Sequence, residues 1–156
     1  MGVSNHLDES ESYAIYVKFF NQTQQLPNST TAEPSPLASI RKFEFTPQDE
    51  EIWESSVAFA VDYVVVQQNI SQVENTTVNG EIVPVNVLVE QNVSRVESIT
   101  VNGETVQVNY ASIWDSNRNG FYYSLIFELW SYDETLNDFQ YANQYVGLQL
   151  NMTSYL

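Results

Sequence analysis

The chain has 156 residues, the size of one domain and enough to close a hydrophobic core. Twenty acidic residues against Lys18, Arg41, Lys42, Arg95 and Arg118 leave a net charge of -15, which excludes nucleic acid as an expected partner, since phosphates are held by Lys and Arg. Cysteine is absent, so neither a disulfide framework nor a thiolate metal site is available. No apolar run approaches the ~18 residues of a membrane span, because Asp62 breaks "SSVAFAVDYVVV" and Glu128 breaks "FYYSLIFELW", and membrane insertion is not expected.

Residues 1–11 are acidic, carry the lone histidine, His6, and are expected to be flexible. The opening "MGVSNH" has no basic-then-apolar leader, and His6 stands where a myristoylation pattern needs Ser or Thr. Any export is therefore expected to rely on a segment outside this sequence or on another route. Beyond residue 11, period-two alternation dominates and helical periodicity is weak, so residues 12–156 read as one all-β domain. "SYAIYVKFF" (12–20) is a first strand. The polar stretch 21–36, with Pro27, Pro34 and Pro36, reads as a long surface loop or tether. "LASIRKFEF" resumes as a strand and "TPQDEE" turns. From Trp53 to Tyr63, alternation gives a strand with one apolar face.

A repeat follows. "QNISQVENTTVNGEIVPVN" (68–86) matches "QNVSRVESITVNGETVQVN" (91–109) at an offset of 23 residues. Asn79-Gly80 and Asn102-Gly103 suit the two positive-φ positions of a type I′ turn, so each copy is expected to be a hairpin. In the second copy, a two-residue loop puts Val101 opposite Glu104, Ile99 opposite Val106 and Glu97 opposite Val108 on one face. Ser98, Thr100, Thr105, Gln107 and Asn109 take the wet face, with Val96 as its apolar exception. Pro84 in the first copy, where the second has Gln107, marks a sheet edge that is not continuously paired, or a protruding hairpin. Two more strands, 121–130 and the one begun by "FQYANQYVGLQLNMT", bring the count to about nine. The expected fold is an antiparallel β-sandwich of immunoglobulin-like or jelly-roll type.

Chemical constellations are sparse. "DSNRNG" (115–120) opens like a calcium loop, with Asp115, Asn117 and Asn119 as alternate oxygen donors. The twelfth position is Ile126, only Asp115 is a carboxylate, and Arg118 adds positive charge, so a metal-free turn is the expectation and calcium the minor one. Phe121, Tyr123 and Phe127, with Tyr122 and Trp130 on the other face, fit a buried central strand better than a sugar platform. The acidic groups Asp49, Glu50, Glu51 with Glu54, and Asp133, Glu134 with Asp138, lie in polar turns and read as solvated charge rather than catalytic pairs. The chain is expected not to be an enzyme.

Asn-x-Ser/Thr sequons occur at Asn21, Asn28, Asn69, Asn75, Asn92 and Asn151, where about two or three would arise by chance. N-linked glycans are thus the expected modification, no other cofactor is expected, and the location is extracellular. The closing stretch "LIFELWSYDETLNDFQYANQYVGLQLNMT" resembles the last strands of immunoglobulin-like extracellular domains in archaeal surface or virion proteins. That resemblance implies an extracellular β-sandwich and carries no catalytic residue. The resulting expectation is a non-enzymatic structural subunit: an archaeal virion capsid, turret or decoration protein whose partners are copies of itself and other structural proteins of the same assembly. The alternatives are a cell-surface filament subunit joined by donation of strand 12–20, and a carbohydrate-binding or adhesion module.

Overall fold

A computed structural model describes residues 1–78 and 80–153. The first turn asparagine, Asn79, lies outside the described residues. Among those described there are nine strands and no helix: β1 (Gly2–Ser4), β2 (Tyr13–Phe20), β3 (Arg41–Phe45), β4 (Ile52–Glu54), β5 (Phe59–Val78), β6 (Glu81–Val101), β7 (Glu104–Ile113), β8 (Phe121–Asp133) and β9 (Asp138–Met152). All pairings are antiparallel. One sheet has the order β3-β2-β8-β9, a second is the meander β5-β6-β7, and β1 and β4 form a small pair. The two larger sheets face each other over one core. Ile15, Val17, Phe19, Tyr123 and Leu125 come from the first, and Val96, Ile99 and Val101 from the second. Tyr123 also ties the layers by a hydrogen bond, its hydroxyl donating to the Ser94 carbonyl at 2.9 Å.

The strand β2 is buried on both faces, which explains its near-continuous apolar run. Its odd residues fill the core. Its even residues, Ala14, Lys18 and Phe20, are buried on the opposite face beneath segment 21–40. The expected loop or tether therefore lies down on the sheet, with Pro27 and Ser35 buried. It is held by a buried ion pair, Lys18 Nζ to Glu128 Oε2 at 2.8 Å. Lys18 also donates to the Ser35 carbonyl at 2.6 Å, the Ser35 amide donates to Glu128 Oε1 at 2.8 Å, and Trp130 Nε1 donates to Glu128 Oε2 at 3.2 Å. With β3 on one side and β8 on the other, β2 has both edges paired within its own chain.

Several expectations need correction. Residues 1–11 are not a free tail: β1 pairs β4, the Met1 ammonium donates to the Ser55 carbonyl, and Val3 packs against the core. Asn5 is fully buried, its carboxamide donating to the Glu9 and Pro47 carbonyls. An isolated acidic tail has nothing to bury, but Met1, Val3 and Asn5 are the residues that the 47–55 segment can cover. The strand expected over 53–63 is interrupted: β4 ends at Glu54 and β5 begins at Phe59. Glu97 does not face Val108, because the register shifts there on both sides of β6, and against β5 Glu97 is the extra residue between the Asp62↔Ser98 and Tyr63↔Val96 pairs. Ser98 pairs Gln107, and Val96 pairs Tyr110. The extra residue flips the alternation, so Val96, Ile99 and Val101 all point into the core and Glu97 is exposed. Val96 ceases to be an exception.

Lys18→Met should destabilise the fold by about 3–5 kcal/mol, because Glu128 is left as an uncompensated buried charge. The double variant Lys18→Met/Glu128→Leu should recover most of that loss. Urea unfolding of the wild type and both variants measures it, and a double variant no better than the single one would mean that the pair itself supplies the stability.

A second expectation concerns pH. The Glu11 carboxyl is held above its ordinary value by partial burial, then by repulsion from Glu9 and Glu134. A carboxyl that binds its proton more tightly folded than unfolded opposes folding once ionised, so stability rises as pH falls through the raised folded value toward the unfolded one. Thermal midpoints should increase between about pH 7 and about pH 4.5, and Glu11→Gln should flatten part of that rise. An unaltered slope in the variant would assign the effect to other carboxylates.

Candidate functional site

The most distinctive surface is built from the two longest strands. β7 leaves β6 at the Val93↔Ile113 pair, and beyond it β5 and β6 continue alone as a two-stranded ribbon. Twelve cross-strand pairs, from Gln67↔Asn92 to Val78↔Glu81, make an arm about 40 Å long at roughly 3.3 Å per residue. Gly80, at φ 87° and with open space around it, completes the tip. The arm follows from composition. Alternating Val, Ile, Thr and Gln favour extended backbone, and no residue of the arm is aromatic, so nothing large enough to anchor it to the core is present.

Its surface is apolar for an exposed ribbon. Val73, Ile82 and Leu88 are 68%, 73% and 76% exposed on one face. Val83 and Val85 lie on the other face with Val87 and Val89, spaced two residues apart and therefore in a row. The second hairpin differs although its sequence is nearly the same. Asn102 (φ 47°) and Gly103 (φ 84°) form its turn, and Asn102 is clasped to Ala58 by reciprocal hydrogen bonds of 2.8 Å. Glu104 pairs with Arg41 on β3. Asn102 thus serves both the turn and the docking of the hairpin.

The sequons fall into two groups. Asn28, Asn69, Asn75 and Asn151 are exposed, Asn69 and Asn75 being on the arm. Asn21 and Asn92 are half-buried. The Asn21 amide donates to the Ala111 carbonyl, and Ser94, which completes the Asn92 sequon, is buried. Asn151 packs its carboxamide against Gly120, where any Cβ would collide with it.

Most of the remaining sequence candidates are engaged in structure, while Glu54 and Glu134 are exposed. Asp115 Oδ1 accepts from the Asn117 and Arg118 amides, and Asn119 sits at φ 55°, so 115–120 closes as a turn with Asp115 and Gly120 bridged. No group of His, Cys, Asp and Glu able to hold a metal ion occurs among the described residues. Phe121 and Tyr123 are core residues, and Trp130 stacks on Tyr16 with centroids 4.6 Å apart. Glu50 accepts from His6 at 3.1 Å, Asp49 from the Asp8 amide, Glu51 from the Gln48 amide, and Asp133 from the Thr135 and Leu136 amides. An open cleft of about 600 Å³ lies beside the 115–120 turn, lined by Gln24, Trp114, Arg118, Tyr122 and Gln149 among others. Arg118 lies over the Tyr122 ring at 5.3 Å. Comparison with protein families, curated proteins and solved structures finds no match, so function rests on this geometry.

If the arm is an appendage, removing it should spare the body. Gln67 and Asn92 are direct partners, so deleting 68–91 and joining them through Asn-Gly preserves the register. The shortened chain should unfold cooperatively with a thermal midpoint within about 5 °C of the wild type. A molten or unfolded product would show instead that the arm supports the core.

Proposed function

We propose that this chain is a non-enzymatic structural subunit of an extracellular assembly, an N-glycosylated archaeal virion capsid, turret or decoration protein built on an immunoglobulin-like or jelly-roll sandwich. The observation that carries this reading is the arm. An isolated two-stranded ribbon is marginal in water, and contiguous exposed valine, isoleucine and leucine mark an interaction surface. A chain gains by extending such a ribbon about 40 Å from its core when something covers it. The sequon excess and the likeness of the closing strands to archaeal surface domains support the location. Copies of itself and other structural proteins of the same assembly are the proposed partners, with no nucleic acid and no membrane insertion. The filament alternative gains less support, since the strand it would donate, β2, has partners on both edges in its own chain.

A carbohydrate-binding or adhesion module is the second reading, favoured by the open cleft where Trp114 and Tyr122 lie with Arg118 and Gln149. A glycan array separates the two: binding abolished by Trp114→Ala or Tyr122→Ala would establish the module.

Native material tests the first reading directly. The chain should cofractionate with assembled particles, and its intact mass should exceed the sequence mass by glycans at Asn28, Asn69 and Asn75 in preference to Asn21 and Asn92. An unmodified mass would remove the glycoprotein assignment, and recovery solely as free chains would remove the assembly assignment.

A further inference from the structure

We propose that the arm's valine row docks on the uncovered margin of the four-stranded sheet of a second copy, joining subunits head to tail. This inference rests on the reading of the chain as an assembly subunit and names the contact that would build it. The internal repeat says what covers such a row. At the offset of 23 residues, Val83, Val85 and Val87 occupy the places of Val106, Val108 and Tyr110. In the second hairpin Val108 and Tyr110 pack against the core made with β2 and β8, and Tyr110 stacks parallel to Phe19. The equivalent row on the arm is uncovered, with Val83 39% and Val85 40% exposed.

The same sheet has room for it. The three-stranded sheet does not reach across all four strands: on the edge strand β9 the inward-facing Leu150 and Met152 pack against the core, while Val146 and Leu148 stay open. Val146 pairs Phe127 and Leu148 pairs Leu125, so both share the face of those core residues. They are nonetheless 63% and 44% exposed. Beside them is an open cleft of about 370 Å³ lined by Val3, Ile15, Phe127, Leu129 and Val146. Each molecule thus carries one docked hairpin and one undocked, and one sheet face part covered and part bare. A second copy satisfies both. Because arm and β9 margin are different surfaces, the contact is heterologous and propagates into a chain or ring instead of stopping at a dimer. The interface is apolar and its two halves belong to molecules of net charge -15, so added salt should strengthen association by screening repulsion.

Sedimentation velocity over a concentration series up to about 1 mM, at low and high NaCl, tests this. The wild type should associate reversibly, more at high salt. Val83→Asp/Val85→Asp and, separately, Val146→Asp should each weaken self-association at least about tenfold, with thermal midpoints and circular dichroism confirming that both fold. Mixed together, these two variants should form a complex that stops at one copy of each, since each retains the surface the other lacks. A wild type that stays monomeric throughout overturns the docking inference, and cofractionation of native material with particles then decides whether the assembly reading stands with another partner. Variants that associate as the wild type does overturn the docking surface while leaving self-assembly intact.

Discussion

The arrangement depends on one buried charge pair. Lys18 and Glu128 lie side by side on the central strands β2 and β8, on the face turned away from the core. Left open, that face would expose two charges flanked by Ala14, Phe20 and Ile126, and it would offer no reason for segment 21–40 to lie anywhere in particular. The pair supplies the reason. Lys18 needs a further acceptor and takes the Ser35 carbonyl, while Glu128 needs further donors and takes the Ser35 amide and the Trp130 indole. Desolvating an ion pair is tolerable when its remaining hydrogen-bonding capacity is met, and one serine backbone meets much of it from both sides. The central strands β2 and β8 are thereby covered on both faces, by the β5-β6-β7 meander on one and by an irregular segment on the other.

Much of this was legible in the sequence. Antiparallel β-structure, the approximate strand count and a strand at "SYAIYVKFF" follow from alternation and from a short apolar run. That run conceals the pair: Lys18 stands among residues buried on both faces, and its acidic partner, Glu128, lies across the sheet in "LIFELW". Other features were not legible because they depend on contacts far apart in the chain. β1 exists because Val3 finds Trp53 as a register partner, and the tail's acidic composition hides that. Segment 21–36 has the composition of a tether, and a single serine backbone decides that it is a cover.

The candidate surface was read in half. Asn-Gly at a fixed offset indicates turns, and Pro84 marks a place where pairing on one edge is unnecessary, but the two copies are not two separate hairpins. The return strand of the first and the outgoing strand of the second are one 21-residue strand, β6. The repeat unit is therefore a strand and its turn, and its length, not any functional residue, fixes the offset. Asn102 is the instructive residue: geometry demands it in the turn, yet its amide and side chain also hold Ala58, a use invisible without the neighbouring segment.

Near-identical sequences thus adopt different roles, and the difference turns on the bulge. In the arm Glu74 pairs Val85 and Val73 pairs Asn86 without interruption. In the second hairpin the equivalent Glu97 is expelled, Asn109 goes to φ 53°, and Val96 swings inward beside Ile99 and Val101. Asparagine tolerates that left-handed backbone, so both copies could bulge. What differs is the next residue. Tyr110 reaches Phe19 and lies parallel to it, whereas its counterpart Val87 has too little surface to hold the strand in a bent path. A bulge sharpens twist and re-aims side chains at the cost of a ladder position. That cost is offset where an aromatic anchor and a hydrophobic sheet await the bent hairpin, and it is not offset along a ribbon that meets nothing in its own chain. The straight arm and its bare valine row are therefore the default conformation of this repeat, and the docked hairpin is what the repeat becomes when a four-stranded sheet is within reach.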